Sequence, residues 1–289
     1  KVILEEIALY QDRPHFYLYE HAMREFFSGH TAGNSGLGSC ESITALLRDQ
    51  MKGYFDRRYC PSNITLVAAG NFDFERFVAD AEKYCSAWPD AQVPRNTQGH
   101  LAREVTKEYS KNNLNQAHVM LMTGGCSAQD EERFAMAVLS SIIGDSSGSR
   151  LYWALVNSGL AESAGCDSDE KDGTGCFMAY ASTEPEKLDE VGGILQKIVM
   201  SPLEFSEDDL ERAKTKLAAR IVLDGETPMG RLMSLGNEWV YRQRVHNLRD
   251  TVSRVRAVSR EDVQSALERF PMQSWSEFRL VPKWCPEEV

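Results

Sequence analysis

The sequence lacks any apolar run long enough to cross a membrane, because no stretch approaches the roughly 20 apolar residues that a spanning helix needs. Residues 1–6 (KVILEE) do not have the order of charged, apolar and small residues that is typical of a signal peptide, so this end does not indicate a compartment. There is no initiator methionine, and the first residues already belong to an apolar periodic segment. We therefore expect no membrane span, and we expect the chain to be a piece of a longer one.

Positive charge is also scarce. The chain has 32 Lys and Arg against 43 Asp and Glu, which gives a net charge of −11. A protein that binds mainly to a nucleic-acid backbone or an anionic membrane surface usually has the opposite balance. The composition therefore argues against both as the main partner.

Cysteine pairs with metal-binding or redox spacing are missing. No C-x-x-C pair occurs, which argues against a zinc ribbon or a thioredoxin-like site. Because the cysteines are odd in number and scattered, we interpret them as free thiols of a reducing compartment, which favours a cytoplasmic location. The seven cysteines lie at positions 40, 60, 85, 126, 166, 176 and 285.

What is present is typical of a globular protein. The 289 residues suffice for one large domain or two ordinary ones, and the hydrophobic content of 42% can supply a core for each. Residues 89–99 (PDAQVPRNTQG) contain two prolines and few large apolar side chains. We therefore place a linker at 96–103, between domains at 1–95 and 104–289.

Hydrophobic periodicity predicts both helices and strands. In the first domain it predicts helices at 3–10, 43–55 and 77–88 and a buried strand at 64–69. The second domain begins with a strand at 118–122, a helix at 131–143, a Gly- and Ser-rich loop at 144–149 and a short helix from Arg150. It continues with strands at 160–166 and 176–182, four helical stretches between 185 and 270, and a final strand at 278–281.

Two segments of the chain resemble each other. Residues 51–68 and residues 263–281 both read as an amphipathic helix that ends on basic and aromatic residues, then a proline turn, then an apolar strand. This match predicts an internal repeat whose second copy occupies about 104–289 and whose first copy is a trailing half.

Glu6 is a candidate functional residue. When residues 2–10 are plotted at 100° each, Glu6 falls in the middle of an apolar arc. A carboxylate in that position needs an ion-pair partner, hydrogen bonds, an open cleft or a metal ion. These nine residues alone favour a structural explanation over a metal ligand.

Two other motifs carry little weight. His15 and His21 are six residues apart, which places them on roughly opposite sides of a helix rather than at the i, i+4 spacing of zinc ligands. We expect them to be surface or helix-packing residues. The segment 144–150 (GDSSGSR) lacks the ending of a P-loop, and Ser147 and Ser149 lie in no nucleophile elbow.

Taken in order, these segments resemble the pitrilysin and mitochondrial-processing-peptidase family of zinc metallopeptidases, the inverzincins of the HxxEH motif. Residues 2–7 (VILEEI) resemble the family helix that supplies the third zinc ligand, and residues 26–73 resemble the rest of its first domain. Residues 115–118 and 142–161 resemble the opening of its second domain, and residues 206–214 and 258–263 resemble its closing helices.

The resemblance implies an α+β fold in which helices back mostly antiparallel sheets and the domain is duplicated. It implies that Glu6 is a zinc ligand, because the second Glu of the tripeptide is the one that aligns. The two His and the catalytic Glu of HxxEH have no counterpart in this chain. We therefore expect zinc in the full-length protein, weak or no zinc binding by this chain alone, and no cleavage by it.

One departure from the family concerns substrate contacts. Active members often place an Arg and a Tyr after the Gly-Ser-Arg-Leu segment, and the matching positions here are Val156 and Glu162. The expected function is peptide hydrolysis by a metal-activated water inside a closed chamber, on peptides or unfolded proteins. The alternative is a non-catalytic member that binds peptide or assembles as a homo- or hetero-dimer with another family subunit. Residues 144–149 and 160–166 are expected to lie near the peptide.

Overall fold

The computed structural model describes residues 1–95, 97–100 and 103–283. Its sheet has the strand order β1-β5-β2-β4-β3; β1 runs parallel to β5, and the other three pairings are antiparallel. The expected α+β class with a mostly antiparallel sheet is therefore confirmed. The strands are β1 (Thr106–Lys111), β2 (Ala117–Gly124), β3 (Ser163–Glu170), β4 (Gly175–Thr183) and β5 (Ser276–Pro282).

Helices make up most of the remaining structure. Within the described residues, no helix is both long and apolar enough to cross a bilayer. In the part of the chain that the structure describes, the α-helices that precede the sheet are α1 (Val2–Gln11), α2 (Pro14–Phe26), α3 (Cys40–Ala45), α4 (Arg48–Arg58) and α5 (Phe74–Cys85). Six lie between its strands: α6 (Arg133–Gly144), α7 (Leu188–Met200), α8 (Glu207–Glu226), α9 (Pro228–Arg242), α10 (Leu248–Ala257) and α11 (Arg260–Arg269).

The sheet is covered on both faces, which explains why the central strand β2 is apolar throughout. Side chains alternate across a strand, so Val119 and Leu121 join the core under α6 and α7, while Met120 and Met122 face α2. All four side chains are at most 2% exposed. A strand buried on both faces needs a continuous apolar run rather than an alternating one.

Helix α2 fastens the N-terminal segment to the sheet. Leu18, Ala22 and Phe26 are each at most 1% exposed and pack in one cluster with Met120 and Phe278. Their i, i+4, i+8 spacing places them on one side of the helix. The first predicted domain and the sheet of the second therefore share a core.

Two parts of the N-terminal region differ from the expectation. The predicted strand at 64–69 is wrong: Ile64 has extended backbone angles, but the described residues offer this segment no ladder partner. The predicted helix at 43–55 is interrupted because Leu46 and Leu47 are extended, and α3 and α4 replace it. Leu46 is 45% exposed and Leu47 63%, so no apolar burial holds a continuous helix together there.

The structure of residues 104–283 also differs from the expectation in several places. Strand β1 was not predicted, because its sequence TKEYSK is polar and lies largely exposed. The strand expected at 160–166 begins at Ser163, since the Leu160 amide donates to Leu155 O and closes the preceding turn. Five α-helices, not four, lie between 185 and 270, and the short helix after Arg150 is a π-helix, Tyr152–Val156.

The predicted division of the chain stays a prediction. Positions 96, 101 and 102 of the linker 96–103 lie outside the described residues, as does Cys285. The other six cysteines are free thiols.

Candidate functional site

A long groove of about 1210 Å³ runs beside the outer strand β3. One wall is the start of α2, with His15 and Tyr19, and the other is formed by α8. The loop after α6 closes one end, and the floor contains residues of β3 and β4. The groove is therefore built from both predicted domains.

Strand β3 offers a free backbone edge to this groove. It hydrogen-bonds to β4 alone in the described sheet, so every second residue directs its N–H and C=O away from the ladder. Helix α6 approaches β3 closely, because a Cβ placed on Gly144 would lie only 2.2 Å from the Cys166 nitrogen. An extended polypeptide can add to an exposed edge of this kind as an extra strand.

The loop at 144–149 is held in place by its own hydrogen bonds. Ser149 Oγ donates to Asp145 O at 2.7 Å and accepts from the Tyr152 amide at 3.1 Å, while Lys216 of α8 donates to Ser147 O. Gly148 has φ +69°, a left-handed conformation that favours glycine. These bonds make the loop a preformed wall of the groove. Because the loop follows a helix rather than a strand, it does not have the strand–loop–helix arrangement of a phosphate-binding P-loop.

Acidic groups outnumber basic ones along the groove. Lys216 and Arg220 of α8 are the cations, and four carboxylates lie on the walls: Asp145, Asp167, Asp169 and Asp224. Partial burial, followed by the charge of Asp169, raises the pKa of Asp167. Tyr19 donates to Asp169 Oδ2 at 3.2 Å, and burial together with that carboxylate raises the pKa of the Tyr19 hydroxyl.

His15 and His21 pack rather than converge on a metal position. The His15 ring lies 4.5 Å from the Tyr180 ring, and the His21 ring stacks on Tyr17 at 4.1 Å. Burial lowers the pKa of both imidazoles. On β2, burial and the nearby His15 lower the pKa of His118 to about 4. The expected helix-packing role fits these contacts.

Glu6 lies on the open side of α1. Within its apolar arc only Ile7 is buried, at 3% exposure, while Val2 is 76% exposed and Leu9 57%. Among the described residues, no three or more His, Cys, Asp or Glu side chains cluster closely enough to hold a metal ion. Glu6 is therefore not a buried, ion-paired carboxylate, and the described part of the chain forms no cluster of metal ligands around it.

The helix pairs α1–α2 and α8–α9 share a feature that the predicted internal repeat would explain. Both α2 and α9 begin with a proline, Pro14 and Pro228. Glu6 and Arg220 each stand eight residues before that proline. Arg220 lines the groove beside β3. If the predicted repeat is used to align the two helix pairs, Glu6 corresponds to Arg220, a residue of the groove wall. The shared spacing to the proline is visible in the sequence, but hydrophobic periodicity does not reveal it.

Val156 and Glu162 lie at the entry to β3. Val156 is the last residue of the π-helix and is partly buried, whereas Glu162 is exposed, with its backbone amide donating to Ser182 O. Single π-turns are frequent at functional sites. Neither side chain offers the hydrogen-bond donor that an Arg or a Tyr would bring to this place.

Comparison with known protein families gives a match over residues 45–217 to the model described as the peptidase M16 inactive domain. The chain is 26% identical over 271 residues to an uncharacterized zinc protease of Mycobacterium leprae, covering 91% of this chain and 61% of that protein. It is 28% identical over 274 residues to one from Mycobacterium tuberculosis H37Rv, covering 90% and 63%. The chain thus spans about three fifths of the length of these relatives.

Solved structures share the fold at lower identity. A chain of complex III2 from Candida albicans matches with a TM-score of 0.87 and 15% identity, covering 97% of this chain and 70% of that one. A peptidase M16 inactive domain from Pseudomonas fluorescens matches with a TM-score of 0.82 and 17% identity, covering 99% and 70%.

Proposed function

Because the chain belongs to the peptidase M16 family, through the inactive domain that its residues 45–217 match, we propose that it is the peptide-binding part of a zinc-dependent peptidase. The family resemblance inferred from the sequence is confirmed by that match. The relatives are called zinc proteases. The whole protein's hydrolysis of peptides or unfolded proteins belongs to the proposal.

The groove beside β3 is the observation that carries the proposal. It combines an unpaired strand edge, a preformed loop and a volume of about 1210 Å³. A peptide in extended form would gain main-chain hydrogen bonds from β3, and its side chains would lie between α2 and α8. The main-chain hydrogen bonds would not depend on the amino-acid sequence of the peptide. A peptidase that acts on unstructured substrates needs binding of this kind.

Zinc chemistry does not fit the described residues alone. A catalytic zinc ion needs about three protein ligands, and the described residues contain no group of three that could hold one. We propose Glu6 as the ligand that this chain contributes, with the remaining ligands elsewhere in the whole protein. The equivalence of Glu6 with the groove residue Arg220 supports this placement.

A binding experiment with two variants tests the groove. Ala219→Trp places a large ring in the groove, and Val222→Trp adds the same ring to an exposed part of α8 outside the groove lining. We expect a fluorescent, unstructured peptide with basic residues to bind the chain, and Ala219→Trp to weaken binding at least tenfold. Val222→Trp is expected to bind as the unmodified chain does, and equal affinity of both variants would reject the groove.

The full-length protein tests the catalytic half of the proposal. We expect it to contain zinc and to cleave an unstructured peptide in a chelator-sensitive way, and we expect Glu6→Gln to lower both zinc content and cleavage. Unchanged zinc occupancy in that variant would refute the ligand role of Glu6.

A second candidate function is a non-catalytic subunit that binds peptide or assembles with a related chain. Val156 and Glu162, at positions where active members often have Arg and Tyr, favour it, as does the fold shared with a chain of complex III2. Peptide binding without cleavage by the full-length protein would identify this case. A cytoplasmic location, based on the unpaired cysteines, is likewise a proposal.

A further inference from the structure

A cavity of about 580 Å³ lies at the elbow where α8 ends and α9 begins, and the segment that leads into α10 closes it. Among the described residues, its lining comes from the range 221–251 alone. The lining is mostly apolar, with large side chains at five positions: Ile221, Met233, Leu235, Val245 and Leu248. A volume of this order and an apolar lining are typical of ligand-binding sites. We call this cavity the elbow pocket.

The helix ends around the elbow pocket pack closely against each other. A Cβ on Gly225 would lie 2.9 Å from Leu248 Cδ1. A Cβ on Gly230 would lie 1.9 Å from Asp224 O. Across the same turn, Arg231 Nε donates to Gly225 O at 2.5 Å. The two glycines thus let the helix ends approach each other, and the walls of the pocket are preformed.

A cavity of about 440 Å³ lies at the corresponding elbow between α1 and α2. When the helix-starting prolines of α2 and α9 are aligned, seven residues of α1 and α2 that line this cavity fall on residues that line the elbow pocket. Ile7 and Ile221 form one such pair, and Glu20 and Ser234 form another. The arrangement of the helices therefore produces a cavity twice. The linings differ, because the first is rich in aromatic rings and the elbow pocket is rich in aliphatic side chains.

The side of α9 that lines the elbow pocket is not the side that approaches the N-terminal region. Gly236 is the residue whose Cβ would lie 3.6 Å from Val67. At about 100° per residue, Arg231 and Ser234 lie on roughly the opposite side of the helix from Gly236. The pocket therefore stays accessible while α9 contacts the N-terminal region.

The elbow pocket continues the groove beside β3. Asp224, near the end of α8, lines both. Arg220 and Leu223 line the groove on one side of this helix end. Ile221 and Gly225 line the pocket on the adjacent side. A peptide that follows the groove past Asp224 therefore reaches the mouth of the pocket.

We propose that the elbow pocket is a specificity pocket, which takes one large apolar side chain of the peptide that lies in the groove. The inference rests on the proposed binding of peptide along β3. Met233, Val245 and Leu248 are 52%, 52% and 39% exposed. An apolar side chain of the peptide would cover them and would itself leave water, and this burial favours binding. The pocket thus selects peptides with a large apolar residue beyond the part that pairs with β3.

Binding of a peptide series to the full chain tests the proposal. Each peptide has one Leu at a different position of an unstructured sequence of Lys, Ser and Gly, and the reference peptide has Ser in place of the Leu. We expect one position of the Leu to strengthen binding about tenfold over the reference, because its side chain then enters the pocket. Ser234→Trp, which fills the pocket, should remove this gain and leave the affinity for the reference peptide unchanged.

Two further variants make the test specific. Ser253→Trp is the matched control, because it adds the same ring to an exposed position of α10 outside the lining, and it should retain the gain. Val245→Asp changes a side chain that is 52% exposed, so folding should tolerate it. It should remove the gain as Ser234→Trp does, because the Leu would then meet a carboxylate.

The outcomes separate this inference from the proposed function. If the peptides bind but no position of the Leu strengthens binding, the specificity pocket is overturned and the groove stands. The same gain in Ser234→Trp as in the unmodified chain would overturn the pocket as well. If none of the peptides binds, both proposals are rejected.

Discussion

At the scale of single residues, Glu170 at the end of β3 is a carboxyl group that folding places in an environment unlike water. Burial raises its pKa to about 7, although Ser168 Oγ lies 3.2 Å away and Arg133 and Arg242 act against the shift. Arg133 is itself buried, and its Nη2 has no hydrogen-bond partner among the described residues. Folding therefore places this carboxyl group where its charged form is disfavoured.

Glu170→Gln is expected to change how stability depends on pH. The folded pKa of Glu170 lies above the ordinary value of 4.5, so the folded protein binds more protons than the unfolded chain between pH 4.5 and 7. The unmodified protein should thus lose up to about 3 kcal/mol as pH rises through that window. Urea unfolding at pH 5 and pH 8 should show the variant without this loss, and parallel pH profiles would contradict the assignment.

At the scale of elements, the contact between α6 and β3 shapes the groove. Gly144 allows it, because a Cβ there would lie 2.2 Å from the Cys166 nitrogen and 2.7 Å from the Gly165 carbonyl carbon. We expect Gly144→Ala to cost about 1–3 kcal/mol in urea unfolding, since backbone atoms must move apart. Gly193→Ala is the control: nothing lies within 4 Å of its Cβ position in α7, so a gain of about 0.5–1 kcal/mol is expected.

The packing of α2 on the sheet gives another prediction. Leu18 is 1% exposed between α2 and β2, whereas Leu9 on α1 is 57% exposed. Leu18→Ala should lower the free energy of unfolding by about 2–5 kcal/mol, and Leu9→Ala should change it by less than about 0.5 kcal/mol. Equal effects in the two variants would show that α2 is not docked as described.

The elements also show which structure could be predicted from sequence. Strands β2, β4 and β5 and helix α6 were predicted because they are buried and their apolar pattern reflects it. Strand β1 was not predicted because its sequence is polar. Residues 64–69 were wrongly predicted as a strand because an apolar pattern does not show whether a neighbouring strand is available to pair with it. The groove depended on the meeting of α2, β3 and α8, which no local pattern encodes.

At the scale of the whole molecule, the two copies of the predicted repeat contact each other. Helix α2 of the first copy packs on the sheet of the second, and α9 of the second approaches the first, where a Cβ on Gly236 would lie 3.6 Å from Val67. Ala22 in α2 and Gly236 in α9 each follow their helix-starting proline by eight residues. Ala22 is fully buried against the sheet, whereas a Cβ on Gly236 would make an ordinary van der Waals contact with Val67.

The central claim is that an extended peptide binds along the free edge of β3. Hydrogen–deuterium exchange of the β3 amides, with and without a saturating unstructured peptide, tests it most directly. Strand addition should slow exchange at alternate residues of β3, those whose N–H groups point away from β4. Protection spread elsewhere on the surface, with β3 exchanging as fast as in the free protein, would contradict the account.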